Sequence, residues 1–532
     1  MYQDQAVTDP LNRGQFPPLP SGSLRGLEDR NDCPGCVAAT APPSFPSCAQ
    51  LGASRRVCRG AILARASRAS ACIVKWKPGE LVTTSRSWSD LFRDHPVGPV
   101  DRKDPLARLN EVRATWNSMI GMTTDTAQPH IGFACLWDDP PERTWSYTPW
   151  NLRAALRPIA ETTDIGVQIP RLSRTILKAG HIRYRNGRLT STWGCSRLTD
   201  AYYSRVLRRK FARNPTARSC EAVLTMQVLA PTIGLPAPFF VYNDMSIDAW
   251  VSGVRSAEAL AAIRSITPST LARLRERELA VYERASGIFA MSHWCARTLI
   301  EQSDVPPEKV HVVHPAVSSG RALDDSNLAR VLGNGQGEDG LHRQSRERAA
   351  PRRRLLFVGR QYITFDFYRK GGDLVVAALA RLRRDYDSEI TLTVVGPEQW
   401  PLPGALPDGI RFLGALPPAD VTALYDSHDL FVMPSRIEPF GIVFAEALAR
   451  GMPCIARDAY AMPEVVTPGV SGALVTKDDD EELAATIAAV LDDDALYEAC
   501  HKRAPEVAAY FSWERAAWEV AQLISQQLRS AP

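Results

Sequence analysis

The stretch Glu438-Pro439-Phe440-Gly441-Ile442-Val443-Phe444-Ala445-Glu446 decides the reading of this chain, because two glutamates with seven residues between them bracket the passage from a loop into a helix. Just before it, Leu430-Phe431-Val432-Met433-Pro434-Ser435 reads as a short buried strand, and Gly441 to Arg450 has helix-forming composition. Strand, loop and helix in that order make a ligand site at the strand's carboxyl end. The N–H groups of a first helical turn have no partner inside the helix, so those at Gly441, Ile442 and Val443 are donors for a phosphate or a sugar hydroxyl. Glu438 stands where ligand hydroxyls arrive. Glu446, in the second turn, can accept two hydrogen bonds from a vicinal diol such as a ribose. Taken alone, the same glutamates could serve only to stabilise a helix start through the macrodipole.

The surroundings argue for a site. Upstream, Leu355-Leu356-Phe357-Val358-Gly359-Arg360 is a strand ending in glycine and arginine, and Tyr368-Arg369-Lys370-Gly371-Gly372-Asp373 opens another helix, so two cations sit at a second strand mouth. Further strands are expected at Thr391 to Gly396 and Ile410 to Leu413. Gly451-Met452-Pro453-Cys454-Ile455-Ala456 turns from helix into strand. Met462-Pro463-Glu464-Val465-Val466 and Gly469-Val470-Ser471-Gly472 then punctuate a helix and a turn.

Residues 353 to 515 resemble the donor-binding domain of family 4 glycosyltransferases, the retaining group 1 enzymes with two Rossmann-like domains of the GT-B type. By position, the resemblance assigns Glu438 to the donor sugar and Glu446 to the nucleotide ribose. Arg360 and Lys370 stand where the family places its phosphate-binding arginine and lysine, the first able to clamp oxygens in a fork, the second a point charge. Phe440 and Gly359 fall among the donor contacts. One departure is visible: the family usually carries two small residues before the Pro-Glu matching Pro463-Glu464, whereas Tyr460-Ala461-Met462 intervene here. Donor or acceptor preference is expected to differ there. Glu464 itself reads as a solvated turn residue without a catalytic role.

Size and composition agree with this architecture. The chain has 532 residues, 45% hydrophobic and 23% charged, enough for two α/β domains plus extensions. A net charge of +4 gives no reason to expect nucleic acid as a partner. Residues 1 to 125 are rich in Pro, Ser, Arg and Gly with little periodicity, and hold 16 Lys+Arg against 12 Asp+Glu. They are expected to be a disordered extension. Cys33-Pro34-Gly35-Cys36 lies within them with no second pair at zinc-ribbon spacing, so it reads as incidental. The scattered cysteines elsewhere point to a reducing compartment, and the family is usually cytoplasmic. The N-terminus lacks the apolar run of a secretory signal. Leu224 to Tyr242, broken by Pro231, Pro236 and Pro238, reads as two strands and a loop, not a membrane span.

A first Rossmann-like domain is expected over 126–317. It opens with the strand Ile131 to Trp137, the loop Asp138 to Thr148 and a helix from Pro149 to Ile159, with Thr148 as N-cap. Thr144-Trp145-Ser146-Tyr147-Thr148-Pro149 resembles the acceptor-side loop of the family. Phe239 to Ser246 is a strand ending in polar residues, and Asp244 is the candidate there for contact with donor sugar or acceptor hydroxyl. Elements at 271–286, 287–291, 293–302 and 310–314 complete the domain, with Ser292-His293-Trp294 capping a helix. Residues 318–353 read as a flexible linker, 354–510 as the donor-binding domain, and 511–532 as a helix that crosses back in the family. The basic stretch Tyr202 to Arg213 contains no acid and reads either as a solvated face or as contact with an anionic membrane surface at the inner face of the membrane.

The function expected from this reading is retaining transfer of a hexosyl group from a nucleoside diphosphate sugar to a glycan, lipid-linked or small-molecule acceptor. The sugar nucleotide is a substrate and no cofactor is implied. Arg360, Lys370 and the helix N–H groups would stabilise the leaving diphosphate in place of a metal. The acid runs Asp138-Asp139 and Asp478-Asp479-Asp480 read as a loop start and a helix start. Two alternatives remain open: a sugar-nucleotide epimerase on the same scaffold, or a non-catalytic sugar-nucleotide binding protein. A glycoside hydrolase is disfavoured, since its two carboxylates must face each other across one bond.

Overall fold

The computed structural model describes residues 128–185, 188–191, 193–253, 267–317, 351–359 and 364–530, and the backbone of 71–77 and 80–86. Those last two segments form an antiparallel hairpin, Ala71–Lys77 with Glu80–Arg86, in a compact unit of its own. All described residues from 128 onward belong to a second unit. The rest of the N-terminal extension, Cys33 and Cys36 included, and residues 318–350 of the expected linker lie outside the described residues.

The second unit is built around two six-stranded parallel sheets. In the first half the strands are β1 (His130–Ala134), β2 (Glu161–Asp164), β3 (Ala222–Met226), β4 (Phe239–Asn243), β5 (Gly287–Ala290) and β6 (Val310–Val312), in the spatial order β6-β5-β4-β3-β1-β2. In the second half they are β7 (Arg354–Val358), β8 (Thr391–Val395), β9 (Ile410–Gly414), β10 (Leu430–Val432), β11 (Cys454–Arg457) and β12 (Gly472–Val475), in the order β9-β8-β7-β10-β11-β12. Both are doubly wound, with helices on either face. Strands covered on both faces must be apolar throughout, which is why Phe239–Asn243 and Gly287–Ala290 are buried at every position.

The helices used below are α1 (Thr148–Leu156), α2 (Arg171–Ala179), α3 (Arg197–Arg213), α4 (Ile247–Gly253), α5 (Pro268–Arg284) and α6 (His293–Gln302) in the first half. In the second they are α7 (Thr364–Arg369), α8 (Gly372–Asp385), α9 (Pro418–Ser427), α10 (Ile442–Leu448), α11 (Met462–Val465), α12 (Asp480–Leu491) and α13 (Asp494–Tyr510). The last helix, α14 (Trp513–Ser530), returns to the first half, where Ala516, Ala517, Val520 and Ile524 join the core beneath β1, β3 and β4. No described helix is long and apolar enough to cross a membrane.

Boundaries differ from expectation by one to three residues where caps decide them. α1 begins at Thr148, not Pro149, and its N-cap is Tyr147, which makes no side-chain capping bond and has φ 65°. Thr148 is therefore inside the first turn. α3 buries Tyr203, Leu207 and Phe211 in the core, so the basic stretch 202–213 has no free apolar face of its own.

Candidate active site

The order β9-β8-β7-β10-β11-β12 reverses direction between β7 and β10, and the carboxyl ends of those neighbours are where a doubly wound sheet binds ligands. The loop leaving β10 carries Glu438. Lys370 is brought beside it by the turn between α7 and α8, and the two side chains form a direct ion pair. Glu438 is 5% and Lys370 7% exposed. Burial pulls the Lys370 ammonium below its ordinary pKa, the Glu438 carboxylate pulls it up, and Arg369 lowers it further.

A rigid frame holds this pair. Gly371 takes φ 77° as the N-cap of α8, and a Cβ there would come within 2.6 Å of the Pro434 carbonyl oxygen, so only glycine lets the two loops pack this closely. The Arg436 N–H donates to the Arg369 carbonyl at 2.8 Å, and its guanidinium grips both oxygens of Asp373 at 2.7 and 3.0 Å. Arg457 donates to the Pro434 carbonyl at 3.1 Å and to Asp478 at 2.8 Å. The buried Ser435 hydroxyl has no hydrogen-bond partner among the described residues.

Other site candidates fall around the frame. Arg360 lies outside the described residues. Gly359 donates its N–H to Val395 at 2.8 Å, and Gly396, at φ 127°, approaches so closely that a Cβ would sit 2.5 Å from the Gly359 oxygen. Gly441 is the N-cap of α10 at φ 87°, Ile442 and Val443 open the helix, and the Phe444 N–H already donates to Gly441 at 2.9 Å. Glu438 thus precedes the helix. Glu446 is half-buried and accepts the Tyr425 hydroxyl at 3.1 Å. Phe440 is a packing residue: its ring lies 5.6 Å from His314 and 6.0 Å from Phe511.

The first half supplies the opposite wall. Asp244, half-buried at the carboxyl end of β4, reaches Arg369 electrostatically: burial alone would lower that guanidinium's pKa, but Asp366, Glu438 and Asp244 outweigh it and hold it raised. Arg369 also donates to Asp366 at 2.7 Å. Beside β1, three consecutive non-glycine residues, Trp145, Ser146 and Tyr147, have φ of 42°, 55° and 65°. Such a run costs about 1 kcal/mol or more per residue and turns the Trp145 ring onto Tyr242, 6.4 Å away.

Glu464 corrects its expected place in solvent. From α11 of the second half it caps α6 of the first, accepting the N–H groups of His293 at 2.7 Å and Trp294 at 2.6 Å. Ser292 caps the same helix through the Cys295 N–H at 2.9 Å. The His314 ring stands 3.6 Å from Glu464 and 2.7 Å from the Tyr510 hydroxyl. Tyr460, in the segment that departs from the family pattern, has φ 58° and packs edge-on against Trp294 with ring centroids 5.4 Å apart. The carboxyl ends of β5 and β11 therefore face each other, and the cleft lies between the halves.

The acid runs serve arginines and caps. Asp139 pairs with Arg171 at 2.7 Å, Asp478 with Arg436 and Arg457, and Asp480 with Arg381, while Asp479 caps α12. Among the described residues, no group of three or more His, Cys, Asp or Glu could hold a metal ion.

Residues 324–507 match the family of group 1 glycosyl transferases. The chain is 28% identical over 302 residues to a D-inositol 3-phosphate glycosyltransferase of Corynebacterium aurimucosum, spanning 53% of this chain and 68% of that one. It is 34% identical over 177 residues to a glycogen synthase of Mycobacterium tuberculosis, 32% of this chain and 41% of that one. Sucrose-phosphate synthase from Thermosynechococcus elongatus shares the fold with a TM-score of 0.55 at 18% identity, over 76% of this chain and 100% of that one. The second half is thus a group 1 glycosyltransferase domain, and the chain is a glycosyltransferase of the GT-B fold, with two Rossmann-like halves facing across a cleft.

Proposed function

We propose that this enzyme transfers a hexosyl group from a nucleoside diphosphate sugar to a hydroxyl of a glycan, lipid-linked or small-molecule acceptor, with retention of anomeric configuration and without a metal ion. The observation that carries the reading is the buried Lys370–Glu438 pair at the point where the second sheet reverses its strand order. A donor diphosphate arriving there offers Lys370 phosphate oxygens in exchange for Glu438. The released carboxylate then turns to the hydroxyls of the donor sugar. Glu446 takes the ribose diol, and Arg360 the other side of the diphosphate. As the glycosidic bond breaks, its electron pair leaves on the diphosphate. Lys370, Arg360 and the N–H groups at the start of α10 stabilise that charge. Asp244, across the cleft, contacts donor sugar or acceptor.

The five described buried cysteines, Cys135, Cys220, Cys295, Cys454 and Cys500, are free thiols, which supports a reducing, cytoplasmic setting. The test is a screen of UDP-, GDP- and ADP-sugars with EDTA present and mixed acceptors, reading released nucleoside diphosphate and, by NMR, the anomeric configuration of the product. Release from one donor with retained configuration is expected. Product of inverted configuration, or turnover only when a divalent cation is restored, would overturn the mechanism.

A further inference from the structure

Among the described residues of the first half, helix α2 is where apolar side chains turn outward as a group. None of its nine residues is buried. Leu172 is 73% and Ile176 63% exposed, one helical turn apart on the same face, and Leu198 at the start of α3 is 66% exposed. Leu177, on another face, is the residue that packs against the core. Arg171, Arg174 and Lys178 form a cationic stripe beside the exposed pair. The Lys178 ammonium lies 5.7 Å from the Trp193 ring, and the Trp193 carbonyl accepts the Thr199 hydroxyl at 2.6 Å, so α2 and the beginning of α3 are one surface.

The charge of this region is out of proportion to the chain. Residues 171–213 contain twelve Lys and Arg and a single acid, Asp200, a net +11 in a protein whose total is +4. The remainder of the chain is therefore net −7. Asp200 itself is engaged by Arg273 at 3.1 Å and by Arg277. A solvated basic face would explain the arginines of α3, but it does not explain leucine and isoleucine at the outermost positions of α2. Nucleic acid would be drawn to the charge and would leave those side chains in water. An anionic bilayer satisfies both, taking the aliphatic side chains below its headgroups and the cations among its phosphates.

We propose that α2, with the start of α3, docks this enzyme on an anionic lipid surface. Arg171 is also tied to Asp139 in the loop after β1, which fixes the helix to the body of the first half. Docking does not depend on the glycosyl-transfer reading, and its test uses no donor.

The experiment is co-sedimentation of the full-length chain with vesicles of phosphatidylcholine alone and of phosphatidylcholine mixed with phosphatidylglycerol, at low and high salt. Binding to the anionic vesicles that weakens with salt is expected. Leu172→Asp/Ile176→Asp should lower it on the order of tenfold or more, with an unchanged melting temperature because both side chains are solvent-exposed. The milder Leu172→Ser/Ile176→Ser variant should show the same direction and guards against a folding defect. Absence of binding to anionic vesicles would overturn the proposal. So would binding that both variants leave intact, or equal retention of wild type and variants on duplex DNA with no preference for vesicles, which would mark an unspecific polyanion surface.

Discussion

Each half of this enzyme buries a glutamate near the cleft, and the two are handled in opposite ways. In the second half Glu438 meets the Lys370 ammonium, so a charged pair is kept out of water at the ligand mouth. In the first half Glu278 meets the Ile247 N–H at 2.8 Å and the Tyr282 hydroxyl, which in turn accepts from Asn243, the neighbour of Asp244, at 2.8 Å. Burial pushes the Glu278 carboxyl up to about 7, although both hydrogen bonds pull it down. One Rossmann-like half thus keeps a buried ion pair at its strand switch point, while the other braces its wall with a carboxyl whose pKa burial raises.

The largest expected effect comes from breaking the charged pair. Lys370→Met leaves a buried carboxylate uncompensated and should cost about 3–5 kcal/mol of stability in denaturant titrations, with loss of transfer. Adding Glu438→Leu should restore much of the stability and none of the activity; recovery of activity in the double variant would make the pair merely structural.

Next is the neutral acid. The folded carboxyl holds its proton to about 7 against an ordinary value of 4.5, so the folded state binds more protons than the unfolded one between those limits. Stability therefore falls as pH rises through that window, by up to roughly 3 kcal/mol. Glu278→Gln should flatten the melting temperature across it and exceed wild type above pH of about 7. Parallel pH profiles for the two proteins would show that Glu278 is ionised in the fold throughout.

A smaller effect is expected where the halves meet. Glu464→Ala removes a carboxylate from two N–H groups of α6 and should cost about 1–3 kcal/mol. Small-angle scattering should show a wider cleft; an unchanged profile would mean that α14 alone holds the halves together. Smallest is relief of local strain. Ser146→Gly should stabilise by about 0.5–1 kcal/mol in thermal melts, because its φ of 55° suits glycine. A loss instead would mean that the loop's conformation is not strained.

The second half was far more legible in the sequence than the first. Its strand, loop and helix around Glu438 and Glu446 follow from local composition, and the chain order of Gly359, Lys370 and Gly441 carries the family pattern. What composition could not reveal is that Lys370 and Glu438 share a bond. They are 68 residues apart, and only the parallel neighbours β7 and β10 bring their loops together. Glu464 read as solvated for the same reason, since its partners lie 170 and 171 residues earlier in the other half. In the first half, left-handed φ at Trp145, Ser146 and Tyr147 leaves no trace where glycine is absent. Helix α2 was not anticipated either, because its apolar residues point outward and do not follow the pattern of a core-facing stripe.

A nucleoside diphosphate is expected to bind where the second sheet reverses its strand order. The direct measurement is calorimetric titration of the purified chain with UDP, GDP and ADP in EDTA, for wild type and Glu446→Ala. One diphosphate should bind wild type, and its affinity should fall by about tenfold or more in the variant, as expected for losing charge-assisted hydrogen bonds to the ribose. Equal affinity in the two proteins would contradict the account.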